Sequence, residues 1–132
     1  MSNLIVTDLR QFLNNFSLRS LLNLRYNSHR LLRGAYHEGT RGCFVYLLTE
    51  PWSHPIESKE ALIDHFGPKD AEGYVAPRDL VRAWDGLLVP RYGDVVFTSE
   101  LLMAVVDQEI RRRISQTQVG MSVGPAEEHV PV

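Results

Sequence analysis

The chain has one cysteine, Cys43, and only two lysines, Lys59 and Lys69. A single thiol excludes an internal disulfide framework and a thiolate metal cage; it fits a reducing compartment, so a cytoplasmic location is expected. Long apolar runs are missing too. The longest, Cys43 to Leu48, falls far short of the roughly 20 residues needed to cross a bilayer. The first residues show no charged region followed by an apolar core, so neither export nor membrane insertion is expected.

Catalytic signatures are equally scarce. Gly34 and Gly39 have the spacing of a phosphate-binding loop, but Thr40 and Arg41 stand where that loop requires Lys and Ser/Thr. The residues before it read as polar helix rather than buried strand. His29, His37, His54, His65 and His129 occur in no zinc-ligand spacing. Glu57, Glu60 and Asp64 share a helical face, but acids at a helix start are what the dipole and solvation alone favour. No metal and no cofactor is expected.

At 132 residues, with 44% hydrophobic and 23% charged residues, the composition is that of one ordinary globular domain. Hydrophobic spacing predicts a mainly α fold of about five helices over residues 1–116, with a mobile, Ser/Gly/Pro-rich tail over 117–132. Thr7 is read as the cap of a first helix carrying Leu9, Phe12, Leu13 and Phe16. Ser17 caps a second helix that continues from Leu18 to Arg33 and stops at Gly34. Gly39 to Gly42 reads as a flexible loop. Cys43 to Thr49 reads as buried helix in preference to strand. Ser58, Pro77 and Ser99 open three further helices, and residues 69–76 form a loop. The alternative is an α+β fold in which residues 43–49 pair with residues 94–98.

What the chain does have is arginine, unevenly placed. Residues 1–42 carry six Arg against Asp8 and Glu38, although the whole protein has a net charge of −2. If residues 18–33 form one helix, Leu18, Leu21, Leu24, Leu31 and Leu32 face inward, and Arg19, Tyr26, Arg30 and Arg33 form a stripe on the other side. Arg41 would extend that stripe through the glycine loop, while Arg25 would point elsewhere. Guanidinium groups hold carboxylates and phosphates in bidentate fashion, and a phenol ring offers a flat contact. The expectation is a non-enzymatic binding or adaptor domain that holds an anionic partner, an acidic protein surface or nucleic acid. The same charge asymmetry admits a homo-oligomer, a structural self-association domain in which basic and acidic faces meet.

Two further readings compete with that one. Cys43, near a helix N-terminus, would be a nucleophile with His37 or His54 as base, provided the thiol is exposed and ionised. Trp52, in the sequence Pro51-Trp52-Ser53-His54-Pro55, would be a partner anchor if exposed, whereas Trp84 reads as core. Arg111, Arg112 and Arg113 read as a response to the dipole of the last helix.

Overall fold

In the computed structural model of the protein, residues 4–66 and 77–119 are described. They form six α-helices and one two-stranded hairpin. The fold is mainly helical, as the spacing predicts.

Helix α1 (Leu4–Leu13) buries Ile5, Leu9, Phe12 and Leu13. Thr7 lies inside it rather than capping it, because Ile5, one turn before Leu9, belongs to the core and draws the first turn into the helix. Ser17 does cap α2 (Leu18–Tyr26), accepting a hydrogen bond from the Ser20 amide at 3.2 Å.

The second helix ends much sooner than predicted. Asn27 is its C-cap (φ −112°, ψ 21°), and both its backbone N–H and its side-chain amide donate to the Asn23 carbonyl. A single 3-10 turn, Ser28–Arg30, follows, and Leu31 is already extended. Asparagine offers the backbone an alternative to helical bonding. Long-range bonds then exploit the break. The Leu32 amide donates to the Gly42 carbonyl at 2.8 Å, and the Leu32 carbonyl accepts from the Trp84 indole at 2.8 Å. The first bond is impossible if Leu32 stays in a helix, where its amide would instead bond the Ser28 carbonyl.

Residues 39–42, predicted as a loop, form the turn and second strand of a hairpin. Strand β1 (His37–Glu38) pairs antiparallel with β2 (Arg41–Gly42), His37 opposite Gly42 and Glu38 opposite Arg41. Only glycine fits at position 42, since a Cβ there would overlap the Tyr46 ring and approach the Tyr36 carbonyl oxygen to 2.9 Å. Helix α3 (Phe44–Thr49) follows, and all six of its residues are buried. It is the centre of the core, which is why its sequence shows no amphipathic period.

Helix α4 (Lys59–Phe66) is capped by Ser58, whose hydroxyl accepts from the Ala61 amide at 3.1 Å. Helix α5 (Pro77–Trp84) has proline in its first turn. Helix α6 (Ser99–Val119) begins at Ser99, but the capping hydroxyl belongs to Thr98, which accepts from the Leu101 amide at 3.0 Å. Residues 95–98 pair with no strand, so the alternative sheet with residues 43–49 does not form. Helix α6 runs three residues past the predicted domain boundary. The rest of the predicted tail, and the predicted loop 69–76, lie outside the described residues.

Helix α2 packs on α3 and α6, and α1 packs on α6 and α5. Phe44 of α3 meets Trp84 and Phe97 at ring-centre distances of 5.7 and 5.4 Å. Trp84 is therefore core, as predicted. Trp52 stacks on Phe16 at 5.5 Å and covers the core rather than standing out from it.

Three charged side chains, Asp8, Glu109 and Arg113, are unexpectedly internal. Asp8 is buried and accepts two bonds from Arg91, at 2.7 and 3.0 Å. Arg113 is also buried. It pairs with Glu109 and donates to the Leu13 and Phe16 carbonyls, satisfying the C-terminal end of α1. It stands six residues before the end of α6, too far for that helix's own dipole to explain it. Among the described residues no helix is long and apolar enough to cross a membrane.

Candidate functional site

The break at Asn27 takes the predicted arginine stripe apart. Arg19 and Tyr26 stay together on α2 and border a shallow depression of about 340 Å³ with Asn23, Asn27, Glu50 and Pro51. Tyr26 is well exposed. The wall opposite is a carboxylate, however, and Arg30 is already committed to it through bonds of 3.1 and 2.5 Å to the two Glu50 oxygens. The hydrogen bond from Arg30 holds the Glu50 carboxyl below its ordinary value, so the pair is ionised at neutral pH. Arg41 is exposed on β2 and donates to the Leu31 carbonyl at 3.3 Å. Arg25 turns toward α6 and pairs with Asp107 at 2.8 Å. A surface for capturing phosphates in series is not assembled.

Arg33 has moved elsewhere. Its guanidinium lies 3.7 Å from the centre of the Trp84 ring and donates to the carbonyls of Trp84 and Phe97. These contacts hold a long, usually mobile side chain in one orientation at the mouth of a second groove, of about 260 Å³.

That groove lies between the end of α5 and the start of α6. Leu87, Leu88, Val95 and Val96 line it, and Leu88 and Val96 are 74% and 70% exposed. Seven large hydrophobic residues are exposed among the described residues, and four of them are in this segment. Single exposed apolar residues are ordinary, whereas a contiguous group is characteristic of interaction surfaces. The physical cause is local. Val89, Tyr92 and Phe97 turn inward to the core, and a 3-10 turn at Pro90–Tyr92 is closed by Gly93 at φ 59°. In so short a bend the residues between those anchors have no core to enter. The signal was present in the sequence as two apolar doublets, Leu87-Leu88 and Val95-Val96, flanking a turn.

The cysteine site does not form. Cys43 is 1% exposed, and burial pushes its thiol up to about 12. Desolvation outweighs the helix N-terminus at which the residue sits. His37 is occupied elsewhere: its ring stacks on Tyr46 at 4.4 Å, Nδ1 lies 3.6 Å from a Glu57 oxygen and Nε2 is 2.9 Å from the Gly39 carbonyl. His54 is exposed on the loop after α3. Among the described residues, no three of His, Cys, Asp and Glu come together as a metal site. Comparisons of the chain with family models, with curated proteins and with solved structures each found no match.

Proposed function

We propose that this domain is a non-enzymatic protein-binding module, and that its docking surface is the apolar groove formed by Leu87, Leu88, Val95 and Val96 beside Arg33. One observation carries the reading: most of the large apolar side chains that the described residues leave in water are gathered on one short bend next to a fixed guanidinium. Burying such residues supplies affinity, at about 25 cal/mol per Å² of apolar surface before the costs of association. A preorganised cation supplies orientation. The arginine-rich face read from the sequence contributes Arg33 to this surface, while Arg30 is spent on Glu50. Phosphate capture by the remaining Arg19 and Arg41 is the weaker reading.

A photo-reactive residue placed at Leu88 of the full chain tests this in cells. The expected result is a defined protein adduct that disappears when Val96→Asp is added and is not formed from a reactive residue at Arg19. Failure to form an adduct at Leu88, or the same adducts from both positions, overturns the reading.

A further inference from the structure

We infer that the occupant of this groove is a second copy of the chain, docked about a two-fold axis; the inference rests on the groove being a protein-binding surface. The rim supplies the argument. Two charged residues line the groove, Arg33 and Asp94, one of each sign. Among the described residues neither belongs to an ion pair. An acidic partner would satisfy Arg33 and place like charge against Asp94. A basic partner would do the reverse. In an isologous contact each residue meets its counterpart's complement, so Arg33 of one copy faces Asp94 of the other twice over, around an apolar centre made of Leu88 and Val96 from both.

The geometry of Arg33 favours such a pair. Its guanidinium is stacked on Trp84 and anchored to two carbonyls before any partner arrives, so little side-chain freedom is lost on docking. The apolar centre is small. Four exposed side chains and one groove fall toward the low end of specific interfaces, which usually bury about 800 Å² per partner. The association is therefore expected to be a concentration-dependent equilibrium rather than an obligate dimer.

Sedimentation equilibrium of the full chain, from low to several hundred micromolar, reads the result directly. The wild type is expected to fit a monomer–dimer equilibrium. Leu88→Asp is expected to be monomeric throughout. Asp94→Arg, which sets two cations against each other, is expected to weaken the dimer by at least about tenfold. Mixing Asp94→Arg protein with Arg33→Glu protein restores a heterodimer, and circular dichroism confirms that each variant is folded. Should Arg33→Glu fail to fold, the two exposed variants still decide the matter. A wild type that stays monomeric at every concentration overturns the inference, as does a dimer indifferent to both Leu88→Asp and Asp94→Arg. The protein-binding reading fails separately, if the photo-reactive residue at Leu88 captures nothing; capture of a different protein leaves that reading standing and removes this one.

Discussion

The arginine-rich stretch from Arg19 to Arg41 and the bend from Gly86 to Phe97 have exchanged the roles that their compositions suggest. In the first, charge that reads as solvent-facing is largely consumed by the protein itself. Arg25 pairs with Asp107 and Arg30 with Glu50, and Arg33 and Arg41 hold backbone carbonyls. In the second, large apolar residues that composition alone would place inside stand in water. A polar side chain is turned inward when unsatisfied carbonyls or carboxylates are there to receive it. An apolar one stays outside when its neighbours in a tight turn have already taken the inward directions.

Arg33 belongs to both regions and gives the sharpest test of the contrast. Arg33→Ala deprives two part-buried carbonyls of their donor and removes the stack on Trp84. The expected cost is about 2–4 kcal/mol in chemical denaturation. Arg19→Ala, on an exposed face with no ion pair among the described residues, should change stability by less than about 0.5 kcal/mol. Equal costs would mean that the two arginines do the same work.

A weaker effect distinguishes internal pairing from solvation by pH. The Arg30 hydrogen bond lowers the Glu50 carboxyl. At Glu109 burial acts upward, but the hydrogen bonds from Arg112 and Arg113 outweigh it, and this carboxyl too lies below the ordinary 4.5. Groups depressed in the folded state add stability that is complete above their unfolded value and is lost as the pH falls through the folded one. The urea midpoint should therefore decline below a pH of about 4.5. Glu109→Gln should flatten that decline more than Glu50→Gln, because the Glu109 side chain is 8% exposed and that of Glu50 28%. Identical acid limbs in all three proteins would show that these pairs contribute nothing to folding.

The smallest expected signal comes from Cys43. In the native protein its thiol should react with an aromatic disulfide reagent only as fast as the surrounding structure opens, and freely once the chain is unfolded. Fast native reaction would return the thiol to the list of functional groups.

Much of the fold was legible because its signals are local. Ser17 and Ser58 cap helices through bonds three residues long. Pro77 opens α5, and the apolar spacing of Leu9, Phe12 and Leu13 marks the buried face of α1. The candidate groove was not read, since it depends on which members of Leu87 to Phe97 reach the core. The pair of buried Asp8 with exposed Arg91 spans 83 positions, and Arg113 meets the end of α1 across about 100. No periodic pattern records such meetings.

By itself the sequence determined a helical domain with no disulfide framework and an uneven distribution of arginine, because helical periodicity, capping chemistry and composition are properties of neighbouring residues. Only the tertiary structure decided where those arginines point. Asparagine at position 27 offers the backbone an alternative to continued helix. The bond from the Leu32 amide to the Gly42 carbonyl, which a continued helix would forbid, settles the choice, and the Trp84 indole then holds the Leu32 carbonyl from across the fold.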